Sequence, residues 1–584
     1  MDDQSRPRMR PGDRRLLLGY GPAAVIAAGF LMMAMLVPTV APEQNVASAG
    51  IGTAPQGGGG VAGSVQAAPT TSAAGGSISS PAGATGGGSY GSAGGSSGAS
   101  SATQASPAAG TTAAAAGHAG SVSGCQGPQV PHDPYSPPCV HFSGNNGGST
   151  SRGVTAKTIT VTFRISADNI LGVDSLVNRI AGKSTSSQFQ ETDAQVEQTV
   201  QDLATYFNDH FQFYGRKIVV KFFHGQGQLL QEFQDAGQAQ ANADALTVAD
   251  QFKAFAEMFA ISQPYAEALS AQHVVNIGTV FMSQQWFQQH APYAYSFFPT
   301  CTDLGAEGAA VAAKEIAGGN VTWAGAGVKN GQPRRIAVIS PDNPVYQQCF
   351  SQIANALTRS GHPPVANLTY TLSLTQLSQE MSSIAQQLIN DKVTTVITAT
   401  DPIAPVFLSG DLANAHYLPE IFNIGAAFSD YDFVTQLFDQ TYAAHEAGVT
   451  NAGAIPPYGS SLAYFAAKSV DPNFTPAREV DSYYELLYIL ALGIQGAGPD
   501  LTPQTFQQGL FKYPGGNGEY GPWSFNVNGT QYWTPVHQFR FEWWNPNANS
   551  SYNNQKGTWV IEPTWYTAAN IPPGPPPVFP NGPQ

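Results

Sequence analysis

The side chains able to carry covalent or metal chemistry are few, and their spacing is unreactive. The chain has no Gly-x-Ser-x-Gly turn to raise a serine nucleophile, no His-Glu-x-x-His pair for zinc and no P-loop lysine. His445-Glu446 stands without a second histidine at ligand spacing. His132-Asp133 and His141 fall in a Pro-rich stretch with no closed donor set, so they read as solvated loop residues. No metal or cofactor is expected, and the chain is expected not to be an enzyme. Of the four cysteines, Cys125, Cys139, Cys301 and Cys349, none forms a Cys-x-x-Cys pair, which argues against a zinc ribbon or a thioredoxin-type redox motif. In an oxidising compartment two disulfides are the simplest reading, with Cys125 and Cys139 tying a Pro-rich loop; four unrelated buried thiols are the alternative.

The compartment is set by the N-terminus. Arg6, Arg8, Arg10, Arg14 and Arg15 precede an apolar stretch from Leu16 to Val40, long enough to span a bilayer as a helix. Basic residues before such a span hold the N-terminus inside and send the rest out. Arg14-Arg15-Leu16-Leu17-Leu18 also looks like a twin-arginine export signal, and Ala47-Ser48-Ala49 is a distant candidate cleavage site. Span length favours an uncleaved anchor, and export follows under either reading. Residues 43–124 are Gly, Ser, Ala and Thr with Tyr90 as the one aromatic. Such a segment cannot bury enough apolar surface to offset its ordering entropy, and it is expected to be a disordered tether with a reach on the order of 50 Å. The formal net charge of −14 and the lack of a Lys/Arg stripe in the remaining chain exclude nucleic acid as a partner class.

From Val154 onward strands and helices alternate. Thr158–Ile165, Lys217–Phe223, Phe252–Ile261, His273–Ile277, Arg335–Ser340, Leu368–Leu372, Val393–Ala399 and Glu420–Ile424 read as strands. Helices are predicted over Glu191–His210, Glu232–Val248, Pro264–Gln272, Thr302–Ala317, Val345–Ser360, Leu377–Asp391 and Pro405–Ala415. Alternation of this kind implies α/β architecture with parallel sheets and helices on both faces. The units are too many for one compact sheet, so two doubly wound lobes are the natural division, with ligands expected beyond the carboxyl ends of the strands. The segment after Trp543-Trp544, rich in Asn, Pro and Trp, reads as irregular chain.

Four stretches together resemble the type I periplasmic solute-binding family, the Leu/Ile/Val- and amide-binding branch of ABC importers. They are Arg152-Gly153-Val154-Thr155; Tyr206-Phe207-Asn208 with Tyr214-Gly215-Arg216-Lys217-Ile218; Ile336 to Tyr346; and Glu485 to Gly493 with Gly521-Pro522-Trp523-Ser524-Phe525. The resemblance implies a two-lobed domain at 154–562 that closes on a small polar or amphipathic ligand. Permease and ATPase chains are the implied partners, and the N-terminal helix ties the protein to the membrane. A ligand-sensing receptor or a non-binding envelope scaffold of the same fold are the alternatives. Its organisation would be 1–42 cytoplasmic tail and membrane anchor or signal, 43–124 linker, 125–153 Pro-rich entry loop and 563–584 C-terminal tail. Lobe 1 is expected at about 154–300 and 428–510, lobe 2 at about 301–427 and 511–562. Crossovers are expected near Pro299–Cys301, near Ala426–Ser429 and within Trp533–Trp544. A Cys301–Cys349 bridge would pin the hinge side of the second lobe.

By the same resemblance, ligand contacts come from strand-to-helix turns. Ser262 and Gln263 open a helix at Pro264, a placement suited to a carboxylate or, equally, to a simple N-cap. Thr279 and Ser283 lie in the next turn. Tyr346 matches a position where the family often sets an aromatic over the ligand. Asp401 could accept from an ammonium or only cap its turn. Where amino-acid-binding members carry an acid after the strand ending in Asn423-Ile424, this chain reads Gly425-Ala426-Ala427-Phe428. That departure argues against a zwitterionic amino acid, and Phe281, Trp286, Tyr346 and Phe428 would suit a more apolar or aromatic ligand.

Overall fold

A computed structural model describes residues 127–171, 191–234, 236–453 and 456–571. The apolar run at Leu16–Val40, the linker, Cys125 and the last residues of the tail lie outside them. Among the described residues no helix is long and apolar enough to cross a membrane.

The first sheet runs β2-β1-β3-β4-β5, with β1 (Thr158–Ile165), β2 (Lys217–His224), β3 (Ala256–Glu257), β4 (Val275–Ile277) and β5 (Ala294–Tyr295) all parallel. The β-branched run of β1 alternates at first and is then buried on both sides from Val161 to Ile165. Helices cover both faces of a parallel sheet, so its central strand has no solvent face.

The second sheet is β16-β15-β10-β9-β8-β6-β7. Its parallel part, β6 (Ile336–Pro341), β7 (Ala366–Tyr370), β8 (Thr395–Thr398), β9 (Glu420–Asn423) and β10 (Glu446–Thr450), repeats the order of the first. Two short hairpins, β11–β12 (Gly516–Gly518, Gly521–Trp523) and β13–β14 (Asn526–Val527, Thr530–Gln531), precede the last pair. β15 (Arg540–Asn549) and β16 (Lys556–Ile561) then add an antiparallel edge.

Several expectations need correction. The segment after Trp543 is a sheet hairpin and not irregular chain. Its Asn and Pro are tolerated because the ladder shifts register between Asn545 and Asn549, at the edge of the sheet. The tail from residue 563 starts packed: Tyr566 and Phe539 exchange both backbone hydrogen bonds, and Ile571 is buried. β10 pairs with β9, so the second crossover follows Thr450 and does not fall near Ala426–Ser429; residues 428–450 go with the second lobe. The predicted helix at 232–248 is broken, because Gly237 takes a left-handed φ of 78° between Leu229–Glu232 and Gln238–Leu246. Of the predicted strand at 252–261 only Ala256–Glu257 joins a regular ladder. Phe255 and Met258 still donate to β1 carbonyls, and Ala260 donates to the Ile277 carbonyl.

Cys301 is bonded to Cys349, joining the helices Cys301–Val311 and Pro344–Arg359. Cys139 is disulfide-bonded as well. The entry loop is firmly packed. Tyr135 is buried against Tyr488, Tyr520 and Trp523, and the Tyr488 hydroxyl donates to Asp133 at 2.6 Å.

Two buried ionic features set the energetics. Arg164, on β1, makes a two-pronged pair with Glu232 (2.7 and 2.8 Å), reaches Asp244 (3.1 Å), and lies 3.7 Å over the Tyr265 ring. In the second sheet, burial pushes Glu446 up to about 8 and Asp430 up to about 7, and Glu542 rises well above the usual carboxylate range through burial and its acidic neighbours.

Arg164→Met is expected to cost about 3–5 kcal/mol in urea denaturation, because Glu232 and Asp244 are left buried without their cation. A loss below 1 kcal/mol would contradict this reading of the cluster. The raised acids give a pH signature of definite sign. They hold protons in the fold that the unfolded chain releases, so their stabilisation is complete below about pH 4 and is lost as pH rises towards 8. The melting temperature is expected to be higher at pH 5 than at pH 8, each group contributing up to about 1.4 kcal/mol per pH unit in its window. Glu446→Gln should flatten the profile; an unchanged slope would show that Glu446 does not titrate as assigned.

Candidate functional site

Parallel order 2-1-3-4-5 forces neighbouring crossovers to opposite faces where the order reverses, and a crevice opens there beyond the strand ends. In this chain the reversals lie between β1 and β3 and between β6 and β8. Turns from the carboxyl ends of both sheets line one cavity of about 120 Å³, many times the roughly 10–15 Å³ that one water needs. Ile261, Val280 and Met282 come from the first sheet, and Tyr346, Leu374 and Ile403 from the second. The lining is largely aliphatic and aromatic, as small-molecule pockets usually are.

A second cavity of about 140 Å³ lies beside the three crossovers, reached by Pro299, Asn451 and Val536. Phe281 and Phe428 line both cavities. Their rings meet edge to face at 5.2 Å, and Phe298 packs on Phe428 at 5.0 Å. Both residues hold left-handed backbone, φ 58° at Phe281 and 65° at Phe428, with Ala427 at 52° beside it. Bulky residues rarely adopt this conformation, and such strain persists only where the surroundings over-determine it.

The residues singled out from sequence divide into two groups. Gln263, Tyr346, Asp401 and Phe428 line the first cavity. Ser262, Thr279 and Ser283 do not line either large cavity. The Ser262 hydroxyl donates to Glu232 and makes no helix cap, so it secures the partner of Arg164. The Thr279 hydroxyl donates to the Ala260 carbonyl at 2.8 Å, and Ser283 caps the short helix Gln284–Gln289 through the Trp286 amide. Trp286 is also set apart from the cavities, its indole N–H donating to Glu267. Asp401 is committed to its own turn. One oxygen accepts from the Ile403 and Ala404 amides, the other from the Tyr370 hydroxyl at 2.5 Å, and burial holds its pKa above the ordinary value. Its ordinary capping role therefore prevails over that of an ammonium acceptor.

Sequence reasoning missed the acids of the crossover cavity, Asp430, Asp432, Glu479, Asp481 and Glu485. Around residue 480 they look like the usual acidic start of a helix, and only the fold turns them inward. Among the described residues no group of His, Cys, Asp and Glu forms a metal-holding cluster.

No family model and no curated protein matches the chain. Solved structures to which it is similar include an ABC-transporter solute-binding protein from R. palustris in complex with 4-hydroxybenzoate, at 13% identity and TM-score 0.48 over 70% of this chain and 97% of that one. A fatty acid ABC transporter substrate-binding protein from Thermomonospora curvata shares 14% identity at TM-score 0.49, over 74% and 98% of the two chains. A leucine-binding protein from Thermotoga maritima shares 12% identity at TM-score 0.47, over 71% and 100%.

Proposed function

We propose that this chain is an extracytoplasmic solute-binding protein that captures a small ligand between two lobes and presents it to an ABC-type importer. The observation that carries the reading is the first cavity, lined by turns from the carboxyl ends of two sheets whose parallel strands share one order. A ligand there touches both lobes at once, so its contacts favour the arrangement in which the lobes meet, which is how a hinged pair responds to binding. The apolar lining calls for a ligand with an apolar body, and Gln263 and Tyr346 are its polar contacts on the two lobes. The Leu16–Val40 stretch and the 43–124 linker would tether the domain to the outer face of the membrane, within reach of a permease.

The test is a thermal-shift screen of the full chain against amino acids, amides, small aromatics, amines and fatty acids. A true ligand at 100 times its Kd should add about 2.7 kcal/mol of stability. Tyr346→Ala, at a half-buried position, should weaken that ligand by tenfold or more and leave the free protein folded. No stabilisation by any class would sink the capture reading in favour of a scaffold. Stabilisation without binding to a permease would point to a receptor.

A further inference from the structure

The cavity beside the crossovers has a lining that capture of an apolar body does not need. We propose that it receives the positively charged end of the solute, making the ligand an amphipathic organic cation: a protonated amine or quaternary ammonium on an apolar or aromatic body. This rests on the capture reading above and names its ligand class.

The ionisable groups that face the cavity are five carboxyl groups and one guanidinium. Arg478 is already occupied, lying 5.3 Å from the rings of both Tyr458 and Tyr552 and donating to the Tyr552 carbonyl. Asp430 accepts from the Thr450 hydroxyl, and Asp432 from the Thr558 hydroxyl and the Trp559 amide. Asp481 accepts from the Tyr520 hydroxyl at 2.9 Å, and Glu479 from the Ser482 hydroxyl at 3.1 Å. Glu485 differs from these four. It sits in the second turn of the helix Val480–Ala497, stays partly accessible at the cavity wall, and has no hydrogen-bond donor among the described residues. Packed atoms desolvate it, and Asp481 and Glu519 are the charges that act on it; all three effects raise its pKa.

A desolvated carboxylate facing a cavity without a donor is costly, and a ligand ammonium removes that cost by supplying both positive charge and N–H groups. The remaining wall is aromatic. Phe281, Phe298, Phe428 and Tyr431 present rings to the same space. Ring faces attract ammonium and quaternary ammonium groups, and most strongly where water is excluded. A ligand carboxylate in the same place would meet five acids and an arginine already engaged, so little there would offset its charge. Since Phe281 and Phe428 border both cavities, an apolar body on one side of the pair and a cationic head on the other fit a single ligand.

Calorimetry on the full chain tests this with a set of probes that share one ring: phenethylamine, benzyltrimethylammonium, 2-phenylethanol, 3-phenylpropionate and phenylalanine. The two cations are expected to bind at least tenfold tighter than 3-phenylpropionate. Their affinity should rise with pH, because burial and acidic neighbours raise the Glu485 pKa and loss of its proton favours an incoming cation. Glu485→Gln should weaken the cations at least tenfold more than it weakens 2-phenylethanol. Should that variant fail to fold, Ser482→Lys puts a fixed ammonium into the same cavity and is expected to exclude the cations. Tighter binding of 3-phenylpropionate or phenylalanine, or cation binding indifferent to the variant, overturns the cationic assignment and leaves solute capture standing. Binding by none of the five probes overturns the cationic assignment, and joined to an empty thermal-shift screen it removes the capture reading too.

Discussion

The first lobe depends on one desolvated guanidinium. Arg164 enters the interior at the carboxyl end of the central strand, where water cannot solvate it, so its donors must find fixed acceptors. Glu232 supplies a fork, Asp244 a third contact and Tyr265 a ring face. Those partners in turn fix the surrounding loops. Asp244 also accepts from the Gln226 and Gly227 amides, and Glu232 from Ser262. Gly227 has no alternative residue here, since a Cβ would fall 2.2 Å from the Glu232 carboxylate and 2.6 Å from the guanidinium. Leu230, Phe233 and Gln263, which line the first cavity, flank these anchored residues. The ion cluster thus holds the loops that form the cavity wall.

The second lobe repeats the strand order without repeating the cluster. Its buried pair, Arg334 with Glu420, involves the amino end of β9, at the opposite edge from the cleft. The cleft side of that lobe is held instead by turn chemistry: Asp401 accepts from the Ile403 and Ala404 amides, and the path Gly425-Ala426-Ala427-Phe428 is left-handed at Gly425, Ala427 and Phe428, with the Asn423 side chain accepting from the Gly425 amide and the Ser429 hydroxyl. The two lobes therefore hold the cavity wall by different means, one by ions and the other by a strained turn.

The alternation of strands and helices was legible because it rests on periodicity that burial enforces, and so was the Cys301–Cys349 bridge. The β15–β16 hairpin was hidden, because its register shift at Asn545–Asn549 lies beyond the part of β15 paired with β10 and tolerates Asn and Pro that a fully paired strand would reject. The break at Gly237 was hidden within an Ala/Gln run of good helix formers. At the site, Tyr346 and Phe428 could be found by type and position, whereas Ser262 and Thr279 had the right chemistry at the right turns and spend it on the interior. A hydroxyl after a strand satisfies a buried acceptor as readily as a ligand, and sequence does not distinguish the two. The inward acids were illegible for a related reason: Glu485 lies in the second turn of its helix, and its direction depends on three crossovers distant in the chain.

The position of the Phe281–Phe428 pair explains why two unlike compartments can coexist in one cleft. Carboxylates beside an aliphatic pocket would draw water into it, and hydrated acids lose their leverage on a ligand because ion attraction falls with the local dielectric. An aromatic partition one ring thick limits that exchange. The backbone strain at both rings is then intelligible as the cost of aiming two bulky side chains, from opposite lobes, at a single point that neither helix nor strand geometry would reach.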